Sequence, residues 1–168
     1  MNNKNIGLDI DGVLADFNMA WHLLHPETNP RPDTWNFDNK NVKRFKKMIS
    51  DGTINDFYLN IKPLIKSEDL SFEPCCYITS RPKSNVSKEW LDLHGFPSKP
   101  VICVGALNSK VGAARENNVE IFIDDNYDNF LDLNQAGIFC YLYTAPWNVE
   151  YDVGDMRLNS LEDLAILM

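Results

Sequence analysis

Basic residues are scarce in this chain. Its 168 residues hold 16 Lys and Arg against 24 Asp and Glu, a formal net charge of −8. Affinity for a phosphate backbone comes from Lys and Arg, so a nucleic acid polymer is a poor fit as partner. A small anionic substrate is not excluded. Long apolar runs are missing too. No stretch approaches the roughly 20 apolar residues of a membrane span, and the opening Met-Asn-Asn-Lys-Asn carries no signal-peptide pattern. No membrane partner is expected. Cysteine is confined to Cys75, Cys76, Cys103 and Cys140, without CxxC spacing, and His22, His25 and His94 share no metal-ligand spacing. That disfavours structural zinc and a disulfide framework, and predicts a cytoplasmic chain with reduced thiols. What is present is 44% hydrophobic residues over one domain's length, enough to bury a core without staples.

Five short, nearly continuous apolar runs stand out, at residues 6–10, 76–78, 101–104, 121–123 and 138–142. Such runs suit strands buried on both faces of a parallel sheet. Helical spacing lies between most of them. Val86, Trp90 and Leu93 follow Ser84 and stop at Gly95; Val111 and Ala114 follow Asn108; Tyr127, Phe130, Leu131 and Asn134 precede Gly137. Asn159 and Glu162 read as a capping box before a last apolar helix. The alternation predicts an α/β fold with a five-stranded parallel sheet flanked by helices.

The rhythm breaks once. A simple crossover needs roughly 10–15 helical residues, but the stretch between the first two runs is far longer and rich in aromatics, Pro, Asn and Lys. Val13, Phe17, Ala20 and Leu24 form one helical stripe, Val42, Phe45 and Ile49 a second, and residues 63–70 a shorter third. Residues 17–72 are thus expected to form a small helical cap inserted into a core made of residues 1–16 and 73–168. Phe17, Trp21, Trp35, Phe37 and Phe45 crowd its first half, either as the cap's own core or as a surface for a planar ligand. The basic run at residues 43–47 reads as a solvated helix face.

Four signals carry chemistry. Asp9-Ile-Asp11-Gly follows the first apolar run, and residues two apart in an extended stretch point the same way. At the carboxyl end of a parallel strand, both face the crevice where such sheets bind ligands; the plain alternative is an acidic turn. Asp124-Asp125 end another run, or else form an acidic helix cap. Thr79-Ser80 end a third run and can hold an anion, or simply lead into a helix. Arg81 beside them is a phosphate clamp or a surface charge. Lys110 sits at a helix start, where a cation opposes the helix dipole; it balances the carboxylates or is simply exposed. Two carboxylates about 4 Å apart repel by about 4 kcal/mol at an effective dielectric of about 20. Four converging carboxylates therefore call for a cation or for some of the groups to stay protonated, and oxygen ligands favour Mg²⁺ when a phosphate completes the shell.

The order Asp-x-Asp, Thr/Ser, Lys, Asp-Asp resembles the haloacid dehalogenase-like phosphohydrolase superfamily. Within it, the stretch from Asp9 to Phe17, Asp-Ile-Asp-Gly-Val-Leu-Ala-Asp-Phe, is similar to the 5′(3′)-deoxyribonucleotidases. Those enzymes also carry a helical cap after the first motif, although their second motif reads Thr-Ser-Pro where this chain has Thr79-Ser80-Arg81-Pro82. The resemblance implies that Asp9 is a nucleophile forming an aspartyl-phosphate and that Asp11 is the general acid and base. It places Mg²⁺ on Asp9, the main-chain carbonyl of Asp11 and Asp125, with Asp124 holding Lys110 or a metal-bound water. Thr79, Ser80 and Lys110 would stabilise phosphoryl oxygens, and Phe17 would line a base pocket. The implied substrate is a (deoxy)nucleoside monophosphate. Alternatives are another small phosphorylated metabolite, such as a sugar phosphate, or a phospho-accepting regulatory module. The module has no need of a second acid at Asp11.

Overall fold

A computed structural model describes residues 4–29, 31, 33–34, 38–106 and 108–164. The five apolar runs become strands β1 (Ile6–Leu8), β2 (Cys76–Thr79), β3 (Val101–Cys103), β4 (Ile121–Asp124) and β5 (Phe139–Tyr143). A sixth, β6 (Arg157–Leu158), adds an edge beyond the five expected. Two residues, one of them an arginine, are too few to print a pattern. All strand pairs are parallel, in the order β3-β2-β1-β4-β5-β6. The winding reverses at β1, which pairs with β2 on one side and β4 on the other. The crevice at such a reversal is where open α/β sheets bind ligands.

Alternate strand residues feed two separate apolar layers. Tyr77, Ile121, Ile123 and Tyr141 belong to one; Cys76, Ile78, Phe122, Cys140 and Leu142 belong to the other. Helix α4 (Ser84–Leu93) covers the first layer. Helices α5 (Val111–Glu116) and α6 (Tyr127–Gln135) cover the second. Continuous apolar strands follow directly from burial on both faces.

The long segment between β1 and β2 holds α1 (Phe17–Leu24), α2 (Asn39–Asp51) and α3 (Ile54–Leu59). Its buried Phe17, Trp21, Ile54, Phe57, Tyr58 and Ile61 join the same cluster as Leu8, Ile10 and Trp90. The insertion thus packs against the sheet's first layer through shared core. Its third helix lies earlier than the sequence pattern suggests. Gly52, in the left-handed conformation, ends α2, and Ile54, Phe57 and Tyr58 then supply a new buried face. Residues 63–70 instead hold a bend and one 3₁₀ turn, at Ser67–Asp69. The Leu64 N–H donates to the Leu14 carbonyl at 2.7 Å, tying this return segment to the loop after β1.

Two further expectations shift. Leu93 of α4 is exposed, and Leu91 takes the buried place beside Val86 and Trp90. The final capping box moves by one residue to Ser160 and Asp163, around a 3₁₀ turn at Leu161–Asp163. The remainder of the expected last helix lies outside the described residues, as do Trp35 and Phe37. All four cysteines are free. Among the described residues, no helix is long and apolar enough to cross a membrane.

Candidate active site

Asp9 follows β1 and Asp124 ends β4, and the two strands are hydrogen-bonded neighbours. Asp125 comes next. One carboxylate oxygen from each of Asp9, Asp124 and Asp125 lies within 4.8 Å of the others, and all three residues are buried. Lys110 caps the start of α5, and its side chain is 1% exposed. Its Nζ stands 2.7 Å from Asp9 Oδ2 and 2.8 Å from Asp124 Oδ2. The alternative of an exposed surface lysine is thereby removed.

One ammonium among three buried carboxylates leaves surplus negative charge. Burial lowers the lysine's pKa, but Asp124 and Asp9 outweigh it and hold it above its ordinary value. Lys110 therefore stays charged, and the surplus falls on Asp9 and Asp125. Burial pushes the Asp9 carboxyl up from 3.8 to about 7, partly offset by Lys110 and reinforced by Asp124. Burial, then Asp124 and Asp9, push Asp125 well above the usual range. Buried oxygen donors in this number, with a charge deficit of this sign, fit a hard divalent cation such as Mg²⁺.

The carboxylates are held in place from behind. The Asn126 N–H donates to Asp124 Oδ1 at 2.9 Å, and the Asn129 amide reaches both Asp124 oxygens at 3.2 and 3.1 Å. Trp147 Nε1–H donates to Asp125 Oδ2 at 2.8 Å. The Asn148 amide donates to the Asp125 carbonyl at 2.7 Å and to the Tyr143 carbonyl at 2.8 Å. Gly12 lies against Asp125 with φ of 81°, and a Cβ there would sit 2.2 Å from Asp125 Oδ2. Both the backbone angle and the contact require glycine.

Asp11 takes a different partner. Arg81 Nη2 lies 2.7 Å from Asp11 Oδ1, and Nε lies 3.0 Å from Oδ2. Arg81 is buried rather than a surface charge. Asp11 is partly open, with 18% of its side chain exposed. Thr79 is fully buried at the end of β2, and its Oγ1 accepts the Arg81 N–H at 3.3 Å. Ser80 is half-buried next to it.

Phe17 goes elsewhere. It is 6% exposed and packs against Trp21, Phe45, Phe57 and Tyr58, with ring centroids 5.5–6.5 Å away. Its ring is part of the core of the insertion. A cleft of about 340 Å³ instead opens beside Gly12, lined by Met19, Leu64, Tyr143 and Trp147 among others. Trp147, Asn148, Asn129 and Tyr58 escape the motif reading. The one signal for the first two is place: they follow the end of β5, on the carboxyl edge where the acids gather.

No family model matches the sequence, and no curated protein matches it. Solved structures do share its fold. A haloacid dehalogenase-superfamily hydrolase of subfamily IA from Geobacter sulfurreducens aligns with a TM-score of 0.60 at 16% identity, covering 98% of this chain and 99% of that one. An L-2-haloacid dehalogenase aligns with a TM-score of 0.62 at 11% identity, covering 98% and 97%. A β-phosphoglucomutase from Clostridium difficile aligns with a TM-score of 0.51 at 15% identity, covering 96% and 92%. At these identities the likeness concerns the fold alone, and the fold of this chain is that of the haloacid dehalogenase-like hydrolases.

Proposed function

We propose that this chain is a Mg²⁺-dependent phosphomonoesterase acting on small phosphorylated substrates, with nucleoside monophosphates as the favoured class. The observation that carries the reading is the buried group of Asp9, Lys110, Asp124 and Asp125 at the carboxyl ends of β1 and β4, with Asp11 two residues after Asp9. Asp9, Asp124, Asp125 and the main-chain carbonyl of Asp11 would hold the ion. When bound it neutralises the surplus carboxylate charge and the phosphoryl oxygens.

Asp9 attacks phosphorus, and the bond from phosphorus to the leaving oxygen breaks. Asp11 enters the step in its acid form and gives that oxygen its proton. Water then attacks the phosphorus of the aspartyl-phosphate and loses its proton to Asp11, which frees inorganic phosphate and restores Asp9. Lys110 holds Asp9 in place and offsets charge spread over the equatorial phosphoryl oxygens. Thr79 and Ser80 stand at the adjacent strand end to receive those oxygens. Arg81 already spends two of its three nitrogens on Asp11, which weakens its assignment as a phosphate clamp.

The non-phosphate part of the substrate has the Gly12–Trp147 cleft as its nearest room. Tyr143 and Trp147 in its lining favour a planar group such as a base. Asp11 speaks against a regulatory module, which needs an acceptor but no second acid. The test is phosphate release from a panel of 5′ and 3′ nucleoside monophosphates and sugar phosphates, with and without Mg²⁺. Mg²⁺-dependent release that is highest with a nucleotide supports the reading. Release from sugar phosphates alone moves the substrate class. No release from any member of the panel by folded protein overturns the reading.

A further inference from the structure

Arg81 is the least explained charge in the molecule. It is 1% exposed, yet it comes from the turn after β2 and belongs to no part of the metal-binding cluster. Its guanidinium meets Asp11 through Nη2 and Nε. Its carbon lies 4.4 Å from the Tyr58 ring centroid and 5.3 Å from that of Trp90. Tyr58 belongs to α3 of the insertion and Trp90 to α4 against the sheet. Trp90 Nε1–H also donates to the Ile61 carbonyl at 2.8 Å, joining α4 to the insertion just past α3. Arg81 Nη1 is buried with no partner among the described residues. A planar fork lying against two aromatic rings is confined in both position and tilt.

The backbone of the loop it grips is held by its own hydrogen bonds, the Leu14 and Ala15 N–H groups both donating to the Ile10 carbonyl at 2.8 Å, but these leave the Asp11 side chain free to turn. Asp11 sits in a tight turn in which the Gly12 N–H donates to the Ala15 carbonyl at 2.9 Å. No other side chain hydrogen-bonds the Asp11 carboxylate among the described residues. The direction of that carboxylate is therefore set by Arg81, and the direction of Arg81 by one ring from the insertion and one from the core.

We propose that Arg81 is a positioning residue that aims Asp11 at the leaving oxygen, with Tyr58 of the insertion setting the aim. This rests on the phosphomonoesterase reading. Its consequence is a dependence on the leaving group. A nucleoside alkoxide leaves poorly without a proton, whereas p-nitrophenolate leaves without one. Loss of aim therefore slows the first kind of substrate far more than the second.

The experiment compares kcat and KM for the best nucleoside monophosphate and for p-nitrophenyl phosphate in wild type, Arg81→Lys, Asp11→Asn and the double variant. Lysine keeps the charge but loses the planar fork. Arg81→Lys is expected to lower kcat on the nucleotide by about 100-fold, the low end for lost acid–base catalysis. The loss on p-nitrophenyl phosphate is expected to be at least about tenfold smaller. The double variant is expected to be no worse than Asp11→Asn, because residues acting through one group do not add. Tyr58→Leu is expected to show the same leaving-group pattern more weakly, and it carries the test if Arg81→Lys does not fold. Equal losses on both substrates, raised KM with weaker inhibition by inorganic phosphate, or losses that multiply in the double variant would make Arg81 a phosphate clamp and overturn the proposal. Equal losses with only a lowered Tm would make it structural, with the same result. A wild type inactive on both substrates defeats the underlying reading instead.

Discussion

Two buried basic side chains serve this site, and their surroundings differ. Lys110 faces Asp9 and Asp124, with Asp125 close behind, so its cluster is short of positive charge. Arg81 faces Asp11 alone and lies against two aromatic rings, so its pair is balanced. The first arrangement is one that could take up a cation. The second is complete in itself and serves to aim a group. One base faces more acid than it can match, and the other faces a single partner.

The comparison breaks most visibly on deleting each base. Lys110→Met strands buried carboxylates and is expected to cost about 3–5 kcal/mol, read as a lower urea midpoint. Mg²⁺ should recover much of that loss, because an ion can replace the missing charge. Arg81→Met should cost clearly less, since Asp11 reaches water, and Mg²⁺ should not recover it. Equal losses, or equal recovery, would dissolve the distinction.

Trp147→Phe removes the indole N–H from Asp125 while keeping a ring in the loop. Outer partners of metal ligands are worth about 10–100-fold in affinity. Isothermal titration should show Mg²⁺ binding weakened within that range, with Tm nearly unchanged. Unchanged Mg²⁺ affinity would remove Asp125 from the ligand set.

Acidity sharpens the same point. The folded state keeps a proton on Asp9 up to about pH 7, whereas the unfolded chain releases it near 3.8. Asp125 shifts in the same direction. Between those values the folded state binds more protons, so metal-free stability should be highest below pH 3.8 as far as these two groups go. It should fall as pH rises through about 7. Ligands must lose protons to bind an ion, so Mg²⁺ should raise Tm more near pH 8 than near pH 5. A larger shift near pH 5 would contradict the assignment.

The smallest effect concerns Phe17. Phe17→Leu trims a packed ring of the insertion and should cost roughly 1–3 kcal/mol while leaving KM unchanged. A KM rise without loss of stability would return Phe17 to the substrate.

The contrast also explains what the sequence could show. Asp9, Asp11, Asp124 and Asp125 are legible because each follows an apolar run, and apolar runs in a doubly wound sheet end on one edge. Lys110 is legible as a cation at a helix start, but only the β1–β4 pairing turns it into a partner for both acids. Arg81 stands beside a recognisable strand end, yet its bond to Asp11 crosses 70 positions and passes between elements that local pattern does not connect. Phe17 is the opposite case: closeness in sequence to the Asp9–Asp11 loop suggests a ligand surface, and the fold packs its ring into the insertion's core. Trp147 is hidden because its loop has no periodicity, only a place at the end of β5. β6 is two residues long and takes its register from β5.

The most direct test of the whole account is to catch Asp9 carrying the phosphoryl group. Wild type and Asp9→Asn would be mixed with p-nitrophenyl phosphate and Mg²⁺, quenched rapidly in acid, digested and weighed by mass spectrometry. The expected result is a phosphorylated peptide containing Asp9 in wild type, its absence in Asp9→Asn, and a loss of turnover there of about 10⁴-fold or more. Steady turnover by Asp9→Asn, or a phosphoryl group found on another residue, would contradict the account.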